Sequence, residues 1–282
     1  MSAPRYPTVH VAVSADDADV ASSILWDAGA TGIEERDATT LDKSEGGVTL
    51  VAHFESEEDA REAVALLAPR HATVEHIVGD EWKERWKEFF KPTRIGRRLV
   101  VRPSWEPFSP EVGDVVITLD PGQAFGTGTH ESTRLVLAEE DALVSGGERV
   151  LDVGCGSGIL SIAALLLGAS EAVAVDVDPI AVQVTDENAA HNAVADRLRA
   201  STTDVGEIEG SFELVLANIQ SGVLVPMAEA LMSRLKAGGH LVLSGLLAPE
   251  SQEIRAAFGA LSFVREAREG EWIALVFARA GA

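Results

Sequence analysis

The stretch Val150-Leu-Asp-Val-Gly-Cys-Gly-Ser-Gly158 constrains the architecture of this chain more than any other. An apolar run the length of one buried strand enters a turn with glycine at 154, 156 and 158, and the apolar segment Ile159–Leu167 follows with the length of a helix. Glycines so spaced let the backbone pass close to a ligand where a Cβ would clash. A buried strand turning this tightly into a helix opens an α/β unit with parallel strands. The spacing is G-x-G-x-G, whereas a dinucleotide fingerprint needs its third glycine where Ile159 stands. No G-x-x-x-x-G-K-[ST] occurs, which excludes a P-loop. Gly154 alone could be a structural turn, but Asp152 before it and the strand that follows argue against that reading.

That strand, Ala172-Val-Ala-Val-Asp-Val-Asp178, ends in Asp176. An acidic side chain at the carboxyl end of the neighbouring strand can accept hydrogen bonds from both ribose hydroxyls of a nucleoside. Its alternative role, capping the next helix, is better filled by Asp178-Pro179. The pair therefore predicts a nucleoside-containing cofactor, and a turn this tight favours S-adenosylmethionine over NAD. Asp204 is a candidate for the adenine amino group, or equally a solvated loop residue. In Glu213-Leu-Val-Leu-Ala-Asn-Ile219, Asn218 ends a strand where a cofactor methyl would meet a substrate. Its amide oxygen can accept a hydrogen bond from an amine and aim the lone pair at the methyl; otherwise it simply terminates the strand. Ile-Gln follows it rather than Pro-Pro-Tyr, which disfavours the NPPY enzymes that methylate adenine and glutamine.

A second glycine-rich loop, Asp120-Pro-Gly-Gln-Ala-Phe-Gly-Thr-Gly-Thr-His130, opens the helix from Glu131. Its amides and hydroxyls, with Thr133 in the first helical turn, are candidates for a lid over a carboxylate. His130 is either a base or a structural residue at the helix start. Cys155, with no His–Asp constellation, reads as a small filler. No catalytic residue and no metal ligand is assigned.

Around these motifs the chain divides in two. Residues 1–78 read as strand Thr8–Val13, helix Asp16–Ala28, strands Thr31–Glu35 and Val48–Phe54, helix Glu57–Leu67 and strand Thr73–Val78. The order β-α-β-β-α-β predicts a ferredoxin-like α+β domain serving recognition. Residues 79–92 predict a linker helix ended by Pro92, with Trp82, Trp86 and Phe89 or Phe90 on one stripe. That stripe either docks on a domain or lines a substrate channel. Residues 93–282 predict a seven-stranded, doubly wound Rossmann-like domain. Strands are expected at Val115–Leu119, Arg149–Val153, Ala172–Asp176, Leu214–Ala217, His240–Ser244 and Trp272–Phe277. The helices expected between them are Glu131–Val144, Ile159–Leu167, Ile180–Asn192, Val223–Leu235 and Pro249–Phe258.

Charge and cysteine use narrow the class. With 282 residues, 46% hydrophobic and 24% charged, the chain is globular. The N-terminus lacks the pattern of a secretory signal, no apolar run is long enough to span a bilayer, and a single cysteine predicts a cytoplasmic protein. A net charge of −22 argues against a duplex-DNA binder and suits a basic partner, a bare acidic surface or halophilic adaptation. The acid is densest in residues 1–78, with 15 acidic against 5 basic residues.

The runs LDPGQAFGTGTHEST, VLDVGCGSGILSIAA, AVDVDPIAV and LANIQ resemble the ribosomal protein L-11 methyltransferases, the PrmA family. The linker EWKERWKEFFKPTRIGRRLVVRPSWEP and the terminal EGEWIALVFAR are similar too, so the likeness covers nearly the whole chain. It implies a class I enzyme that transfers methyl groups from S-adenosylmethionine to lysine side chains and the N-terminal amine of L-11, releasing S-adenosylhomocysteine. The N-terminal domain would recognise the ribosomal protein, and cofactor contacts would fall on Thr133, Gly154, Asp176 and Asn218, with Gly156 beside them in the same turn. Ser132-Thr133 departs from the family's usual pair of threonines but keeps the hydroxyl. The expected partner is L-11, without direct nucleic-acid or membrane binding and with a monomer favoured. The alternatives are a methyltransferase of the same chemistry acting on another protein or a small amine, and a non-catalytic protein that binds the cofactor.

Overall fold

The computed structural model describes residues 5–36, 48–68, 70–78, 90–120, 126 and 128–281. The chain forms two compact units, Met1–Phe89 and Phe90–Ala282. Among the described residues no helix is long and apolar enough to cross a membrane. The linker helix expected over 79–92 falls mostly outside the described residues.

In the first unit, β1 (Arg5–Val13), α1 (Ala15–Asp27), β2 (Gly32–Arg36), β3 (Val48–His53), α2 (Glu57–Leu66) and β4 (Thr73–Val78) follow in that order. The sheet runs β2-β3-β1-β4 with every neighbour antiparallel. One face of it is buried: Val9, Val11, Leu50 and Ala52 pack against Ala21, Leu25, Ala60 and Ala63 of the helices. Helix α2 starts where the Ser56 hydroxyl accepts a hydrogen bond from the Asp59 amide at 3.1 Å, with Glu57, Glu58 and Asp59 in the first turn. Arg70 grips Asp17 through two bonds, at 2.6 and 2.8 Å, and holds the Asp17 carboxyl below its ordinary pKa.

The second unit carries a seven-stranded sheet in the order β10-β9-β8-β11-β12-β14-β13. Its members are β8 (Arg149–Val153), β9 (Glu171–Val175), β10 (Leu198–Ser201), β11 (Phe212–Asn218), β12 (Leu235–Leu247), β13 (Ser262–Glu269) and β14 (Trp272–Ala278). The first five run parallel, and β14 and β13 close the sheet as an antiparallel hairpin. Helices α3 (Glu131–Leu143), α4 (Ile159–Leu167) and α5 (Pro179–His191) bury Val136, Leu137, Ile162 and Ala189 on one face. On the other face, α6 (Ser221–Arg234) and α7 (Ser251–Ala257) bury Leu224, Leu231 and Ile254. Apolar residues on both sides of the sheet explain why its central strands read as continuous hydrophobic runs.

One expected strand lies elsewhere. Val115–Thr118 (β7) pairs with β6 (Leu99–Arg102), which pairs with β5 (Thr93–Ile95), as a separate three-stranded sheet. The Leu119 amide bonds the Arg102 carbonyl at 2.9 Å and the Thr118 amide bonds the Asn192 side chain at 2.8 Å, so β7 is satisfied without the large sheet. The seventh place in that sheet goes to β13, whose alternation of polar residues on a half-exposed edge hid it from a search for apolar runs.

Candidate functional site

A cavity of about 610 Å³ opens along the carboxyl ends of the parallel strands, where strand order reverses between β8 and β11. Gly154, Gly156, Asp176 and Asn218 all line it.

The glycine turn after β8 is the floor. Gly154 has φ of +74°, and a Cβ there would lie 2.5 Å from Cγ2 of Ile219, so no other residue fits without displacing the strand tip that carries Asn218. Gly158 is left-handed as well, and a Cβ on it would meet Thr185 at 2.7 Å. The turn is tied to β9, for the Val175 carbonyl accepts from the amides of Gly154 and Cys155 at 2.8 and 3.1 Å.

Asp176 extends this lattice. Its Oδ2 accepts from the Gly156 amide and its Oδ1 from the Asp178 amide, each at 3.0 Å. The carboxylate is thereby fixed at the cavity wall, and each oxygen retains acceptor capacity for hydroxyl donors. Capping of α5 falls to Asp178, whose Oδ1 accepts from the Ile180 amide at 2.8 Å with Pro179 in the first turn. Asp204 also lines the cavity, where its Oδ1 accepts from the Gly206 amide at 2.7 Å.

Asn218 ends β11 at the centre of the sheet. Its Nδ2 donates to the Thr133 hydroxyl at 3.2 Å, while its Oδ1 is buried with no hydrogen-bond partner. A buried amide oxygen left unbonded costs about 1–3 kcal/mol, and an incoming donor removes that cost. Thr133 does not itself line the cavity: it is 1% exposed, behind Asn218, and its neighbours His130 and Ser132 face the space. Of the second glycine-rich loop, residues 121–125 and 127 fall outside the described residues. Ser157 Oγ donates to the Gly126 carbonyl at 2.6 Å, which joins the two glycine loops.

His130 is the N-cap of α3: its Nδ1 accepts from the Ser132 amide at 3.2 Å and meets the Ser132 hydroxyl at 2.8 Å. Its ring stands edge-on to Trp272, centroids 4.7 Å apart at 71°. With Nδ1 given to the cap, the structural role of His130 is the one observed. Cys155 is 5% exposed, its Sγ is 3.3 Å from the Thr185 hydroxyl, and burial pushes its thiol up to about 12. It is filler in the turn. Among the described residues, no cluster of three or more His, Cys, Asp or Glu could hold a metal ion.

Sequence reasoning missed several wall residues. Trp272 on β14, Val177 in the loop after β9 and Val223 on α6 line the cavity, and no spacing in the sequence links them. Two carboxyls lie in the core behind the site. Asp152 on β8 accepts from the Ser161 hydroxyl and amide through Oδ2 at 2.8 and 3.2 Å, while its Oδ1 has no partner. Burial raises its pKa to about 6. Glu140 on α3 is fully buried with neither oxygen bonded, and burial, reinforced by Asp152, drives its pKa well above the ordinary value.

The set fits S-adenosylmethionine: a cradle that admits no Cβ, a fixed carboxylate two strands from a buried orphan amide oxygen, and apolar walls between them. Comparison with known proteins agrees. The family described as ribosomal protein L11 methyltransferase (PrmA) matches residues 5–280. A ribosomal protein L11 methyltransferase of Sorangium cellulosum is 44% identical over 267 residues, which is 92% of this chain and 84% of that protein. One of Pelobacter propionicus is 39% identical over 98% of both chains. The crystal structure of a ribosomal protein L11 methylase from Lactobacillus delbrueckii subsp. bulgaricus superimposes with a TM-score of 0.64 at 31% identity, covering 68% of this chain and all of that one.

Proposed function

This chain belongs to the ribosomal protein L11 methyltransferase family, and we propose on that footing that it transfers methyl groups from S-adenosylmethionine to amino groups of ribosomal protein L11. The observation that carries the reading is the Asn218 amide oxygen, buried and unbonded at the strand tip beside the glycine cradle. S-adenosylmethionine supplies a methyl already activated on a positively charged sulfur. The chain's own work is positioning.

Asp176 accepts the ribose hydroxyls, Asp204 receives the adenine amino group, and the backbone at Gly154 and Gly156 approaches closely because no side chain intervenes. Thr133 orients Asn218, whose Oδ1 accepts an N–H of the incoming amine and leaves the nitrogen lone pair aimed at the methyl carbon. A new N–C bond forms as the C–S bond breaks, the sulfur keeps the electron pair, and the surplus proton leaves the nitrogen to solvent. Lysine, with a free pKa of ~10.4, enters as the neutral amine because burial against apolar walls disfavours its ammonium form.

The N-terminal unit, a ferredoxin-like fold, recognises the protein substrate, and residues 93–282 are the methyltransferase domain. A net charge of −10 over residues 1–78 favours capture of a basic substrate. The enzyme acts in the cytoplasm as a monomer and binds no nucleic acid directly.

Mass spectrometry of unmodified L11 after incubation with the protein and S-adenosylmethionine tests the reading. Mass gains in steps of one methylene, lost in Asp176→Ala, support it. An unchanged mass with calorimetric binding of the cofactor refutes L11 as substrate.

A further inference from the structure

We propose that the Trp272 indole is the wall against which the alkyl chain and amine of the methyl acceptor lie, making it a specificity-determining residue of the reaction. The inference rests on the methyltransferase reading above.

Strand order separates the two ends of the cavity. Asp176 follows β9 and Asp204 follows β10, on one side of β8, whereas Trp272 opens β14 on the other side of β11. Four inter-strand steps separate β9 from β14, about 19 Å at ~4.8 Å per step. An indole on β14 is thus too far to stack on a base held beside Asp176 and Asp204. Asn218 lies between them, two steps from β14. The cavity runs in order through ribose carboxylate, orphan amide oxygen and indole.

The indole is held rather than loose. Its edge-on contact with His130 joins it to the residue that opens α3. Across the hairpin, Trp272 pairs with Glu269, and Glu269 meets the Arg134 guanidinium at 2.5 Å. The Arg134 amide bonds the His130 carbonyl at 3.0 Å and its guanidinium donates to the Thr129 carbonyl. His130, Trp272, Glu269 and Arg134 therefore close a ring fastening the β13–β14 hairpin to the start of α3. Thr133, which orients Asn218, belongs to the same helical turn. One turn of helix positions both the oxygen that receives the amine and the ring beside it.

Charge completes the argument. Among the described residues, the only carboxylates lining the cavity are Asp176 and Asp204, both at its far end. The amine becomes a cation as the methyl arrives, and on the acceptor side an aromatic face is the group suited to it. The same flat face accommodates the methylene chain of a lysine, so the site favours long alkylamines.

The test compares Trp272→Leu, Trp272→Phe and Glu269→Gln with the wild type. The readouts are steady-state kinetics on L11 and calorimetry for S-adenosylhomocysteine and for L11 binding to the S-adenosylhomocysteine-loaded protein. Trp272→Leu is expected to raise KM for L11, and to weaken its binding to the loaded protein, at least tenfold. Trp272→Phe is expected to recover to within threefold, with S-adenosylhomocysteine affinity within twofold throughout. Wild-type behaviour of Trp272→Leu overturns the inference, and so does an equal loss of S-adenosylhomocysteine affinity. If Trp272→Leu does not fold, Glu269→Gln, which keeps the indole but frees the hairpin, decides: KM must rise about threefold with kcat retained, and an unchanged KM overturns the inference. Should the wild type bind S-adenosylhomocysteine yet never methylate L11, the reading above fails by itself. The indole is then tested by titrating the loaded proteins with Nα-acetyl-trimethyllysine, where equal binding to wild type and Trp272→Leu overturns it.

Discussion

The Asn218 side-chain amide donates to the Thr133 hydroxyl at 3.2 Å, while its own oxygen is buried without a partner. A strand tip from the centre of the sheet is thereby set by the first turn of a helix 85 residues earlier in sequence. Thr133→Val keeps the shape and removes the acceptor. Its kcat on L11 is expected to fall about tenfold, the loss of ~1.4 kcal/mol that one neutral hydrogen bond can supply. Asn218→Ala should fall further, with cofactor affinity preserved within threefold in both. A loss confined to cofactor affinity would place Thr133 and Asn218 on the donor instead.

Asp176 is held by two backbone amides before any ligand arrives. Asp176→Asn keeps its size and discards its charge, and Asp176→Ala also releases the glycine turn. Calorimetry with S-adenosylhomocysteine should show affinity falling about tenfold in Asp176→Asn and further in Asp176→Ala, at ~1.5–3 kcal/mol for a hydrogen bond to a charged group.

Glu140 and Asp152 make stability depend on pH in an unusual direction. A carboxyl whose pKa is raised by folding stabilises the protein fully below its unfolded pKa, and this contribution is lost as pH rises through the folded value. For Asp152 the window runs from 3.8 to about 6, and that displacement is worth ~3 kcal/mol. For Glu140 it starts at 4.5 and reaches higher. Glu140→Leu should therefore gain stability over the wild type, and the gain should widen from pH 5 to pH 8 in thermal melts. A pH-independent difference would show that Glu140 does not change protonation on folding.

Gly154→Ala meets two obstacles, a left-handed φ and a Cβ 2.5 Å from Ile219. Strain of ~1–3 kcal/mol is expected from the backbone alone. Urea unfolding should show that loss, and calorimetry should show cofactor affinity falling with it, because the displaced Ile219 adjoins Asn218.

The proposed capture of a basic substrate by the acidic N-terminal unit predicts a dependence on salt. Raising ionic strength from 0.05 to 0.5 M should lower kcat/KM for L11 with little change in kcat, as screening shortens to a few ångströms. A kcat/KM independent of salt would remove steering from the account.

The part of the cavity lined by Gly154, Gly156 and Asp176 was legible in the sequence because its pieces are local. Gly154, Gly156 and Asp176 lie on one strand–turn–helix unit and the next strand, so spacing carries the geometry. Asn218 was legible because a polar residue closing an apolar strand stands out. Asp178-Pro179 announced its helix start, and the structure shows that cap. The wall that Trp272 contributes was not legible. Trp272 and Asn218 come to line one cavity only through a strand order in which β14 lies between β12 and β13, and sequence adjacency cannot encode that order. Thr133 was visible as a hydroxyl near a helix start, but that it faces Asn218 rather than the cavity depends on how α3 lies across the sheet. Val115–Thr118 looked like any other buried strand, since apolar alternation marks burial and not which sheet provides it.

The strand bearing Trp272 is an interior member of the sheet, although it is synthesised after all the others. A chain cut between residues 269 and 272 would keep Asp176, the glycine turn, Asn218 and β13, and would leave a gap between β12 and β13. Such a fragment has bare strand edges on both sides of the gap, which invite pairing with other chains. With the role proposed for Trp272, competence for transfer is tied to completion of the sheet, so an unfinished copy is sticky before it is ever active.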